Sequence, residues 1–154
     1  MTKPVERSEL AVPAKILIPI GDLFSKELIT TALHILSIFQ KPIVILFHVV
    51  EVPSRTGALE PEPYREQIKT ADAKLRELAK WLADQGLIVE TKVAVARSAA
   101  DGIIAETENE PYQIVFLMKR QAKKGWKRLF TRSVTERVIR SVSCLVMTAP
   151  LEIA

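Results

Sequence analysis

Ile43-Val44-Ile45-Leu46-Phe47-His48-Val49-Val50 is the most informative run in the chain. Its apolar residues do not alternate with polar ones, and most are β-branched, so a strand here has no face suited to water. Such a strand belongs in the middle of a sheet covered on both sides, as in α/β proteins. Immediately upstream, Leu28, Ile29, Ala32, Leu33, Ile35, Leu36 and Phe39 recur at helical spacing, with Ser25 placed to cap the helix and Pro42 to end it. Earlier still, Lys15-Ile16-Leu17-Ile18-Pro19-Ile20 is a second short apolar run, broken by Gly21-Asp22.

The downstream half repeats the alternation. Glu51 to Pro63 carries three prolines and Gly57, a loop long enough to have a function. Ile68, Ala71, Leu75, Leu78 and Leu82 then form one helical stripe, and Gly86 is placed to stop that helix. Leu87 to Ala96 alternates loosely around Val89, Thr91, Val93 and Val95, which predicts a strand nearer an edge. Ser98 followed by Asp101 starts a short helix through Ile103, Ile104 and Ala105, and Ile114 to Met118 is another buried strand. Ser133-Val134-Thr135-Glu136 has the form of a capping box opening a helix with Val138 and Ile139. Cys144 to Thr148, closed by Pro150, predicts a last buried strand. Strands separated by helices require right-handed crossovers, so the fold class is α/β: one doubly wound domain, a five-stranded parallel sheet with helices on both faces. Sheets of this kind take ligands beyond the carboxyl ends of the strands, where the strand order reverses.

Size and composition agree with a single domain. The 154 residues divide into a polar arm over 1–13, the α/β domain over 14–150 and a tail over 151–154. An apolar fraction of 48% with 26% charged residues excludes wholesale disorder and collagen-like repeats. Cys144 is the single cysteine, so no internal disulfide forms, which fits a reducing compartment. No apolar stretch approaches the roughly 20 residues of a membrane span, and the first ten residues lack the apolar core of an export signal, so a cytoplasmic location is expected. The net charge of +4 is concentrated: Lys119 to Arg132 holds seven basic residues in fourteen and no acid, leaving 15 basic against 18 acidic elsewhere.

From Ala14 to Pro150 the chain resembles the universal stress protein family. The likeness is carried by Ile16-Leu17-Ile18-Pro19, by Leu46 through Glu51, by Gly125-Trp126-Lys127-Arg128-Leu129, by Ser133 through Val138 and by Cys144-Leu145-Val146-Met147. The resemblance implies a Rossmann-like sheet of order 3-2-1-4-5, similar to the adenine nucleotide alpha hydrolases, and a homodimer paired through the last strand. Many members bind ATP through a glycine signature. Its positions fall here on Lys119, Ala122, Arg132 and Ser133, so the three glycines are replaced and the hydroxyl alone remains. Glycines at such places let amides close around phosphates through positive φ, which Lys and Arg adopt only at a cost. The family's acidic residue after the first strand falls on Gly21, with Asp22 one place later, while Val49 and Val50 are placed to line an adenine slot.

Each of these residues also has a purely structural reading. Ser133 serves as a helix cap, and a helix amino terminus with Lys119, Lys123 and Arg132 nearby also suits an anion. Trp126, Leu129 and Phe130 either pack their loop on the sheet or touch a membrane surface, and the basic run suits a phosphate-bearing small molecule, nucleic acid or anionic lipid. His34, His48 and Cys144 have no companions at metal-ligand or catalytic spacing and are expected to be structural, with no metal site. Asp22 either caps the first helix or faces Glu51 as a carboxylate pair. The expectation is a non-catalytic binding or regulatory protein with no resident cofactor. Its charge-based phosphate site would use Lys119, Lys123, Arg132, Ser133, Asp22 and Val50. The alternatives are an ATP-binding universal stress protein with weak hydrolysis, and a module that binds nucleic acid or anionic membrane through the basic loop.

Overall fold

A computed structural model of the chain describes residues 14–21, 26–52, 64–120 and 132–151. Five strands, β1 (Lys15–Pro19), β2 (Ile43–Glu51), β3 (Ile88–Ala96), β4 (Ile114–Arg120) and β5 (Leu145–Leu151), alternate with α1 (Lys26–Leu36), α2 (Arg65–Asp84), α3 (Ala99–Asn109) and α4 (Arg132–Ser141). All pairings are parallel and the order is β3-β2-β1-β4-β5, as the resemblance implies. No described helix is long and apolar enough to cross a membrane.

Strand periodicity explains the two layers of helix. Successive side chains point to opposite faces. Ile16, Ile18, Val44, Leu46, Ile114, Phe116 and Met118 meet Ile29, Ala32 and Leu36 of α1 and Leu75, Leu78 and Leu82 of α2. Their neighbours Leu17, Ile45, Phe47, Val49, Val115 and Leu117 meet Ala99, Ala100 and Ile103 of α3 and Val138 of α4. The run at β2 is thus apolar throughout because each face has its own core.

The strand and helix limits differ from the sequence reading at three places. The fourth strand does not stop at Met118: pairing with β5 continues, placing Lys119 opposite Pro150 and Arg120 opposite Leu151. Pro150 therefore lies inside β5, where an outer strand tolerates its missing amide. That last strand is not buried, since Leu145 is 60% exposed and Cys144, just before it, is half-buried. Its outer position leaves one side without a neighbouring strand. Finally, α4 begins at Arg132, so Ser133 lies within the first turn and not at the cap.

A closed polar network ties the amino-terminal end of the sheet together. Lys92 of β3 donates to Glu106 Oε1 at 2.5 Å and to Glu110 Oε1 at 3.3 Å, Lys15 pairs with Glu110, and the Tyr112 hydroxyl donates to Glu106 Oε1 at 3.1 Å. The Lys15 ammonium also lies 5.0 Å from the Tyr112 ring centre. Glu106 is only 6% exposed, a burial tolerable because a cation and a phenol both donate to it. Burial first, then the neighbouring Glu106 carboxylate, push the Tyr112 phenol far above its ordinary range. The hydrogen bond to Glu106 raises Lys92.

Both shifts have the same consequence at alkaline pH. Above about pH 10 the unfolded chain releases the tyrosine proton while the folded chain keeps it, so folding stability falls as pH rises. The loss approaches about 1.4 kcal/mol per pH unit for the tyrosine alone. Urea unfolding at pH 9, 10 and 11 is expected to show this decline in the wild type and a shallower one in Tyr112→Phe.

Candidate functional site

The connections locate the site. From β1 the chain passes to α1 on one face of the sheet, and from the adjacent β4 it passes to α4 on the other. The carboxyl ends of β1 and β4 therefore open a crevice between diverging connections, the topological switch point of a doubly wound sheet. Residues at this edge come from four elements. Ile20 and Gly21 follow β1, Val50 and Glu51 end β2, Lys119 and Arg120 end β4, and Arg132 and Ser133 begin α4.

The ends of β1 and β2 are fastened to each other. Ile20 donates its amide to the Phe47 carbonyl at 2.7 Å, and His48 Nδ1 donates to the Ile20 carbonyl at 2.8 Å. His48 is buried, and this bond gives it the structural role its apolar setting predicts. Val50 is buried just beyond it, and Val52 continues the ladder by donating to the Ala96 carbonyl at 2.8 Å.

Glu51 has a role that the sequence reading did not give it, and its pairing with Asp22 lies outside the described residues. Its Oε1 accepts from the Ala99 amide at 2.8 Å, satisfying an orphan donor of α3 from 48 residues away. A carboxylate is suited to the positive end of a helix dipole. Ser98 is the cap of the same helix, with extended backbone and a hydroxyl accepting from the Asp101 amide at 3.1 Å. From the neighbouring helix, Arg137 Nη2 donates to Asp101 Oδ1 at 2.5 Å and Nη1 to Ser98 Oγ at 3.3 Å. The Arg137 hydrogen bond holds the Asp101 carboxyl below the usual carboxylate range.

Thr135 is the anomaly at this end. It is 2% exposed, in the first turns of α4, and among the described residues its hydroxyl has no hydrogen-bond partner. Such a group costs about 1–3 kcal/mol when left unsatisfied. Among the described residues no group of three or more His, Cys, Asp or Glu could hold a metal ion. Burial raises the Cys144 thiol, which favours its protonated form.

Among the site residues read from the sequence, the fold brings Val50, Lys119, Arg132 and Ser133 to one edge of the sheet. Their elements are described, but the side chains of Lys119, Arg132 and Ser133, and all of Asp22 and Lys123, lie outside the described residues, as do Trp126, Leu129 and Phe130. Sequence reasoning missed Glu51 as a cap, Arg137 as a clasp and Thr135 as a buried hydroxyl. Only Thr135 carried a signal: a polar residue three before Val138, on the apolar stripe of a helix.

The geometry defines a doubly wound α/β domain whose topological switch point lies between β1 and β4. The universal stress protein family model matches residues 14–150, and the chain belongs to that family. Among solved structures it is similar to hypothetical protein MJ0577, with 26% identity and a TM-score of 0.66 over 92% of this chain and 98% of that one. A universal stress protein family protein from Arabidopsis thaliana with AMP bound is 16% identical, with a TM-score of 0.61 over 91% of this chain and 93% of the other. The universal stress protein from Archaeoglobus fulgidus in complex with dAMP is 15% identical, with a TM-score of 0.53 over 89% and 98%. No curated protein matches the chain by sequence.

The approach of α3 to the end of β2 depends on Gly102. A Cβ there would lie 2.5 Å from Val49 Cγ2 and 2.9 Å from Cγ1. Val49 is short, β-branched and buried, so it cannot swing aside. Gly102→Ala gains about 1 kcal/mol of helix propensity but meets an overpacking cost of about 1–3 kcal/mol. Net destabilisation is expected in urea titrations, and the same change should turn stabilising in a Val49→Ala background.

Proposed function

We propose that this chain binds an adenine nucleotide in the crevice between β1 and β4, and acts by binding rather than turnover. In this reading the base lies toward Val50 and the phosphates toward Lys119 and the amino end of α4. The observation that carries the reading is the Thr135 hydroxyl, a buried donor in the first turns of α4 without a partner among the described residues. A phosphate at a helix amino terminus accepts from first-turn amides and is favoured by the helix dipole, and a nearby hydroxyl adds a donor. Support also comes from the family match and from two relatives of the same fold, one with AMP and one with dAMP.

The replaced glycines shape the proposal. With Lys119, Ala122 and Arg132 at the family's glycine positions, charge substitutes for part of an amide nest, and Lys123 adds to it. Attraction of this kind is screened by salt, unlike an enclosed nest. Binding without turnover is favoured because Glu51 and Asp101, carboxylates at this edge, are committed to Ala99 and Arg137.

Calorimetric titration with AMP and ATP tests the reading. Binding is expected, weakening several-fold between about 50 and 200 mM salt. Thr135→Val should leave stability unchanged or raised, because it deletes an unsatisfied hydroxyl, yet weaken AMP by about tenfold, equivalent to about 1.4 kcal/mol. Absence of binding at millimolar AMP and ATP would refute the proposal, and steady release of ADP from ATP would replace binding alone by hydrolysis.

A second copy of the chain is proposed as the partner at the open edge of β5. Exposed apolar residues on the same part of the fold, Leu145 at 60% and Ile139 at 52%, support that reading. Light scattering at about tens of micromolar, a concentration suited to interfaces of ordinary size, is expected to give a dimer mass and Leu145→Lys a monomer mass.

A further inference from the structure

We infer that Arg137 is a positioning residue whose two-pronged contact with α3 sets where the amino terminus of α4 points, and thereby sets phosphate affinity. The inference rests on the proposed nucleotide site and assigns a control to it.

Helix α4 meets the sheet along a narrow apolar stripe among its described side chains. Over ten residues it buries Val138 fully and Thr135 almost so, half-buries Val134, and exposes Glu136, Arg137, Ile139 and Arg140. A stripe that narrow resists separation from the sheet better than it resists rotation or sliding along it. Arg137 adds a directional restraint. Its two terminal nitrogens reach two different acceptors, Asp101 Oδ1 at 2.5 Å and Ser98 Oγ at 3.3 Å. Two contacts from one planar guanidinium define an angle as well as a distance, which a lysine ammonium does not.

The acceptors are themselves immobilised. Ser98 Oγ is engaged with the Asp101 amide, and the next residue, Ala99, is held by Glu51 at the end of β2. A chain of contacts therefore runs from β2, next to Val50, through the first turn of α3 to α4. The proposed base side and phosphate side of the crevice are joined by it. Stability is a poor explanation for the pair. Arg137 and Asp101 are 51% and 43% exposed, and exposed ion pairs add little to folding. Phosphate binding by backbone amides is more demanding, because each donor must fall within about 2.7–3.2 Å of an oxygen.

The electrostatic alternative predicts the opposite sign, which makes the test sharp. If Arg137 acted only through its charge, Asp101→Asn would remove a nearby negative charge and strengthen phosphate binding, and Arg137→Lys would be neutral. Positioning predicts that both substitutions weaken AMP by about tenfold while the affinity for adenosine, which lacks the phosphate, is unchanged. Titrations of AMP and adenosine against wild type, Asp101→Asn and Arg137→Lys decide this. Amide hydrogen exchange over residues 132–138 without ligand provides a second reading and is expected to quicken in both variants. Unchanged or tighter AMP binding in Asp101→Asn overturns the inference alone, as does an equal loss for adenosine. A wild-type chain that binds neither ligand overturns the nucleotide site and the inference with it.

Discussion

Everything in this molecule depends on burying both faces of three central strands. Along β2, Val44 and Leu46 face α1 and α2 while Ile45, Phe47 and Val49 face α3 and α4. Fully burying one such side chain stabilises by about 1.5–3 kcal/mol, so leaving either face of the sheet uncovered would forfeit more than the whole stability of a typical domain. Two helices on each side are the solution, and parallel strands are its price. Once each strand is followed by a helix running back, every helix amino terminus lies at the carboxyl edge. An edge where first-turn amides need partners from outside their own helix is thus a by-product of covering the core.

The two edges of the sheet treat charge differently. At the amino-terminal edge, Lys15, Lys92, Glu106, Glu110 and Tyr112 satisfy one another. At the carboxyl edge, Glu51, Ser98, Asp101 and Arg137 cap and tether helix ends. The first network ends in itself. The second leaves the Thr135 hydroxyl without a partner among the described residues, as the proposed binding end requires.

Replacing the family's glycines alters the means by which such an edge can hold phosphate. A glycine nest offers converging amides at fixed distance, whereas Lys119 and Arg132 offer charge on long side chains. In the proposed site the orientation of α4 then matters more, because first-turn amides would supply the geometry that a glycine nest otherwise supplies. Tethering through Arg137 answers that need.

Much of this was legible in one dimension. The unbroken apolar run at β2 demanded cover on both faces, Ser98 and Asp101 announced the start of α3, and Gly86, at φ +91, ended α2 where its spacing said it would. These are local matters of side-chain period, capping and backbone freedom, and they are written within a few residues. Tertiary structure alone decided that Glu51 caps α3, that Arg137 grips Ser98 and Asp101, that Lys119 joins β4 opposite Pro150, and that Gly102 makes room for Val49. Each involves residues about 30 to 50 positions apart, brought together by crossovers that bury apolar surface. Hydrophobic period is indifferent to which polar group lands beside which. The sequence by itself therefore determined the layers and their order of appearance, while the polar contacts that shape the site came into being only when those layers packed.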